Sequence, residues 1–217
     1  MNALMYMIPK EKLELAKQTD SVEDILKRMK EGSFKTLPVI DEAKHFVGVI
    51  HESSIYESFF YNEVKKEEFL QAEIRPLVKE NVLTVDKGTD FFEVILRMEK
   101  LDIHFLPIVD SAQQFMGIVT RNKIFEAFES AFGHNRDGYL IEVVSIDAKG
   151  QLARLAKAIS STHSNIASMV HFDVNVASLE RVIVKVETEK IEEVLENISN
   201  EGFRVTNHRF VQKVKQS

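Results

Sequence analysis

Residues 37–51 read LPVIDEAKHFVGVIH, and residues 106–120 read LPIVDSAQQFMGIVT. The two stretches align without a gap at an offset of 69 residues. Leu37, Pro38, Asp41, Ala43, Phe46 and Gly48 recur as Leu106, Pro107, Asp110, Ala112, Phe115 and Gly117. An internal repeat settles the architecture before any single element does. In each copy a short apolar run with Pro at its second position reads as a strand start or edge. Asp opens a polar turn. A second strand follows, over Phe46–Ile50 and Phe115–Val119.

Upstream of each copy lies a helical face. Val22, Ile25, Leu26 and Met29 have helical spacing, as do Phe91, Val94, Ile95 and Met98. Asp20-Ser21 and Thr89-Asp90 are the expected caps. Downstream, Ser53-Ser54 and Asn122 precede amphipathic runs at Ile55–Phe60 and Ile124–Phe128. Extended lead-ins are expected at 5–8 and 82–85. Each unit is therefore helix–strand–strand–helix.

The doubled pattern h-P-h-h-D, then G-h-h-[TS], resembles the cystathionine-β-synthase (CBS) domain, and two tandem copies resemble a CBS pair, or Bateman module. The resemblance implies one copy over 1–69 and another over 70–132. It further implies an adenine nucleotide in the clefts between the copies. In nucleotide-binding members a Thr or Ser after G-h-h contacts phosphate, and an Asp three residues later holds the ribose. Here Thr120 is kept, but Lys123 stands in place of that Asp; the first copy has His51 and Ser54.

Arg121, Asn122 and Lys123 sit beside Thr120 at an expected helix start. Arg offers a bidentate fork and Lys a point charge for phosphate, and a helix N-terminus adds N–H donors. From the first copy, Lys12, Phe34, Lys35 and Thr36 are candidate contacts. Phe34 reads either as a core residue or as a platform for adenine. Lys12 and Lys35 read either as solvated surface or as ligand contacts. His104 occupies the place of Lys35 in the second copy, lining the cleft or the surface. The opening MIPKEKL is similar to bacterial CBS proteins that bind cyclic di-AMP. Cyclic di-AMP is accordingly favoured as ligand, with AMP or ATP as the alternative.

The remaining third reads as a separate module over 138–212. GHNRDG at 133–138 is a polar linker. Tyr139–Ile146 reads as a strand, and Leu152, Leu155, Ala156 and Ile159 as a helical face. Ala167–Val174 and Arg181–Val186 are strand-like. Ile191, Val194, Leu195 and Ile198 form another helical face, Gly202 is its stop, and Phe203–Val205 begins a last strand. The order β-α-β-β-α-β is ferredoxin-like. D-x-x-G-x-L at 147–152, followed by Asn165-Ile166, resembles the ACT domain, a ligand-sensing or dimerising module. That resemblance implies Asp147, Gly150 and Asn165 as contacts of an amino-acid ligand. A CBS pair with a C-terminal ACT unit is similar to the acetoin-utilisation regulators. The expected fold is thus a mixed α/β (α+β) chain, a tandem CBS pair followed by a ferredoxin-like ACT unit.

Composition excludes other classes. The 217 residues hold 8 Gly, 4 Pro and no Cys, so neither a low-complexity chain nor thiolate chemistry is present. Hydrophobic content of 44% and charged content of 29% suit a globular chain. A net charge of −6 argues against a nucleic-acid polymer as partner. No leader or membrane-spanning run is read, so a cytoplasmic protein without membrane association is expected. His51-Glu52 begins like H-E-x-x-H, but residue 55 is Ile. No catalytic residue, metal ligand or resident cofactor is expected. The expectation is a non-catalytic, homodimeric sensor that passes its state to an effector protein. An amino-acid-responsive regulator is the alternative.

Overall fold

The computed structural model describes residues 2–146, 148–173 and 179–213. Two compact units divide the chain at Ile124/Phe125.

In the first unit, β1 is Ile8–Pro9, β2 is Ala16–Lys17 and α1 is Val22–Gly32. Then come β3 (Thr36–Ile40), β4 (Phe46–His51), α2 (Glu52–Tyr61) and α3 (Lys66–Gln71). The second copy follows with β5 (Val85–Asp86), α4 (Phe91–Lys100), β6 (Phe105–Val109), β7 (Phe115–Thr120) and α5 (Arg121–Ala131). Ser21 caps α1 by accepting the Asp24 N–H, and Asp90 caps α4 by accepting that of Phe92. Val22, Ile25 and Met29 of α1, and Phe91, Val94 and Met98 of α4, are buried. The helical faces read from spacing are the faces that pack.

Helices α2 and α5 begin earlier than the sequence spacing suggests. Glu52 and Arg121 follow the strand directly, because their N–H groups donate to Lys35 O and His104 O, both at 3.0 Å. The strand's last cross-strand bond is therefore also the helix start, and Ser53-Ser54 and Asn122 lie inside the helices.

The lead-ins differ more. Residues 3–6 form a 3-10 turn, and only Ile8–Pro9 is extended. β1 joins the sheet of the second copy, with Ile8 opposite Ile118 and Pro9 opposite Gly117. The strand order there is β1-β7-β6-β5, against β2-β3-β4 in the first copy. β5 is the repeat partner of β2, so 5–8 and 82–85 are not equivalent segments. Lys79 makes the reciprocal crossing, exchanging both backbone hydrogen bonds with Val49 at 3.1 and 2.8 Å. Each copy thus lends a segment to the other's sheet. The copies also meet at their turns, where the Phe115 N–H donates to Lys44 O at 3.0 Å. Phe46 and Phe115 stack there, 5.5 Å between centroids.

The second unit contains the rest of α5, then β8 (Gly138–Ile146), α6 (Gln151–Ser160), β9 (Asn165–Asp173), β10 (Leu179–Glu187), α7 (Ile191–Asn200) and β11 (Arg204–Val211). The order β-α-β-β-α-β closes one antiparallel sheet, β11-β8-β10-β9. Ile141, Val143, Val182, Val184 and Val186 meet Leu155, Ile159, Val194 and Ile198 in one core. Gly202, at φ 84°, ends α7 as expected. Asp147 and Val174 lie outside the described residues.

Lys185 interrupts the apolar run of β10 and is only 2% exposed. Burial pushes its ammonium pKa down, partly offset by Asp137 and Glu187. A base with a depressed folded pKa costs stability at neutral pH, and that cost fades as pH rises through the folded value towards 10.5. Lys185→Met, which keeps the stem, is expected to raise the thermal midpoint at pH 7. It is also expected to flatten the alkaline rise in stability. Thermal unfolding between pH 7 and pH 10 reads both.

Candidate functional site

β6, β7 and α5 bring five sequence-expected residues together. Phe105, next to His104, pairs with Thr120, and the Arg121 N–H donates to His104 O. Thr120 Oγ1 accepts the Lys123 N–H at 3.2 Å, capping α5. Its first turn, Arg121-Asn122-Lys123, holds no acid. Acids are the residues a helix N-terminus favours, and α1, α2, α3, α4 and α7 each carry one or more in the first turn. Cations at the positive end of a helix are unfavourable by themselves and suit a bound anion.

Arg121 is more constrained than the sequence suggests. Its Nε donates to Ile103 O at 2.9 Å and its Nη2 to Asp102 Oδ1 at 2.6 Å. Asp102 has φ 49° and its carboxyl is held below the usual range by Arg121. The guanidinium therefore fixes the turn that carries His104. Asp102 escapes a motif search because its repeat partner is Ser33, which shares the left-handed backbone but not the charge.

Lys12 lies towards the other end of β7. Pro9 lies opposite Gly117, so the Lys10–Lys12 turn packs towards the start of β7. Thr120 ends that strand three residues beyond Gly117, roughly 10 Å away along an extended chain.

The first copy places its candidates differently. Thr36 Oγ1 hydrogen-bonds His51 Nδ1 at 2.8 Å. Burial first, and the nearby Lys79 charge second, push the His51 pKa down. His51 takes the position that Thr120 holds in the second copy. Lys35 pairs with Glu52 at 2.5 Å, which raises the lysine pKa. Glu52 is the repeat partner of Arg121, so each copy holds an ion pair here, with the acid at the helix start in the first copy and the cation there in the second. Phe34 is 42% exposed rather than in the core. With Met29, Lys30, Lys35, Glu52 and Tyr56 it lines a cleft of about 960 Å³ on the α1–α2 side. Lys79 was not legible as a neighbour of His51, because only the segment exchange brings it there.

In the second unit, Gly150 caps α6 at φ 86°, with open space where a Cβ would stand. Asn165 opens β9, beyond the other end of that helix, and donates to Glu187 Oε2 at 2.5 Å. Ten helical residues, about 15 Å, separate the two. Within one chain they do not form a single site. Among the described residues, no group of three or more His, Asp or Glu is placed to hold a metal, and no helix is long and apolar enough to cross a membrane.

Comparison with known proteins bears on the first unit. The solved structure of CbpB in complex with c-di-AMP is 24% identical, with a TM-score of 0.56, covering 60% of this chain and 85% of that one. CBSX2 in complex with AMP is 26% identical, with a TM-score of 0.51, over 58% of this chain and 95% of that one. L-aspartate semialdehyde sulfurtransferase of Methanocaldococcus jannaschii is 27% identical over 50% of this chain but only 20% of its own length. The chain spans 29%, 58% and 20% of the length of three curated relatives that it matches. The sequence profile of the CBS domain fits residues 7–60 and again residues 73–130, the two copies whose segments cross between sheets. The chain belongs to the CBS domain family.

Proposed function

We propose that the chain is a non-catalytic regulatory sensor whose second CBS copy binds an adenine nucleotide through the start of α5, cyclic di-AMP being the preferred ligand. One observation carries this reading: the first turn of α5 is cationic and acid-free, beside Thr120 and His104. A ligand rich in phosphate oxygen suits a helix start that carries two cations and no acid. Lys123 replaces the acid that would hold a ribose diol, which disfavours AMP and ATP relative to a cyclic dinucleotide. CbpB in its c-di-AMP complex shares the fold, and CBSX2 binds AMP, so these nucleotides are the competitors to compare.

Glu52 at the start of α2, where Arg121 stands in α5, makes the first copy the weaker anion site. Exposed Phe92 and Leu96 on α4, at 61% and 65%, support pairing with a second copy. Cytoplasmic location and an effector protein downstream complete the reading.

Lys123→Glu is expected to weaken cyclic di-AMP binding at least tenfold, about 1.4 kcal/mol, with the fold intact by circular dichroism. Fluorescence titration of the wild type and variant checks it. Unchanged affinity would remove the start of α5 from the site. Mass spectrometry of nucleotide retained by the protein as purified gives an independent test. Retained AMP or ATP without cyclic di-AMP would reverse the order of ligands.

A further inference from the structure

Asp102 stands on a left-handed turn, at φ 49°. That conformation favours Gly and tolerates Asn or Asp. The first copy fills the same position with uncharged Ser33, at φ 55°. The backbone therefore does not require an acid at 102, and the reason for one lies in its side chain.

Arg121 Nε donates to Ile103 O at 2.9 Å and Nη2 to Asp102 Oδ1 at 2.6 Å. A guanidinium has five N–H groups, so among the described residues these two bonds leave three. Arg121 keeps enough donors to fork a phosphate, while a carboxylate already balances its charge. Arg121 holds that carboxyl below its usual range, first by the hydrogen bond and then by its charge, so Asp102 is ionised at neutral pH. A phosphate oxygen on the remaining N–H groups would lie roughly 6 Å from the carboxylate, within the Debye length at ordinary salt. The Asp102 side chain is 89% exposed, so the dielectric of water applies. At that range Coulomb repulsion lowers affinity about threefold for each unit of negative charge on the ligand. A phosphate monoester such as AMP carries about two charges above pH 6, and a phosphate diester carries one.

We infer that Asp102 biases the site at the start of α5 towards phosphate diesters and against phosphate monoesters, by cancelling the charge of Arg121 while leaving three of its donors. The inference rests on the nucleotide reading above and names the phosphate chemistry that the site selects. Both phosphates of a cyclic dinucleotide are diesters. The donors of Arg121 serve either kind of phosphate, whereas the Asp102 charge penalises the dianion more.

Titration of the full chain with AMP, with the methyl ester of its phosphate and with cyclic di-AMP tests this. The methyl ester keeps the adenosine and removes one charge. Asp102→Asn keeps the side-chain shape, tolerates the same φ and loses the charge. Asp102→Ser installs the residue that the first copy holds there, so a second variant compatible with the turn reads the same effect. Both are expected to shift the ratio of AMP to ester affinity about threefold towards AMP, with cyclic di-AMP following the ester. Misplacement of Arg121 alone would weaken every ligand and leave that ratio where it was. A ratio that moves by less than about twofold overturns the inference, and cyclic di-AMP binding to the wild type then leaves the nucleotide reading standing. A wild type that binds none of these ligands overturns both readings together.

Discussion

Phe115→Ala is expected to cost the first unit about 3–5 kcal/mol, the range for removing a buried aromatic ring from a packed core. Phe115 is 0% exposed, its ring stacks on Phe46 across the two copies, and its N–H is bonded to Lys44 O. The substitution empties the joint that both copies share. Phe46→Ala, at the same position of the first copy, removes a half-buried ring and should cost clearly less. Urea denaturation of the two variants gives the comparison. A loss below about 1 kcal/mol at Phe115 would show that the joint collapses around the gap.

The second large effect is expected at Gly117. Its φ of 159° is ordinary extended backbone, so any residue could adopt it. The constraint is proximity. A Cβ on Gly117 would stand 2.2 Å from Ile8 O, and one on Gly48 would stand 2.3 Å from Lys79 O. Both oxygens belong to the crossing backbone segments and have no rotamer by which to move aside. Gly117→Ala must therefore displace β1 and its hydrogen bonds to β7. A cost of about 2–4 kcal/mol is expected, at the upper end for single substitutions. Loss of amide protection at Ile8 would accompany it. Wild-type stability in Gly117→Ala would refute the close crossing.

These two residues show how far the sequence reaches. Phe115 and Gly117 were visible as repeat landmarks, because side-chain pattern and turn chemistry are local. What Gly117 accommodates was not visible. The crossing of Ile8–Pro9 into the second sheet involves only two residues, too few to leave a period. For the same reason 5–8 and 82–85 looked alike when they are not. In the site, Thr120 and Lys123 were legible because they follow a motif. His104 entered by its repeat offset from Lys35. The engagement of Arg121 was hidden, since its partners Asp102 and Ile103 lie 19 and 18 residues away. Lys12 enters from the first copy's lead-in, whereas β1 just before it pairs with β7 of the second copy. The C-terminal unit was legible as an element order, but Gly150 and Asn165, close in sequence, stand at opposite ends of a helix.

The most direct test of the nucleotide reading is isothermal titration of the purified chain, freed of nucleotide, with cyclic di-AMP, AMP and ATP in parallel. Cyclic di-AMP is expected to bind tighter than either mononucleotide, with affinity falling as salt screens the cationic turn of α5. No heat with cyclic di-AMP, beside clear binding of AMP, would contradict the account.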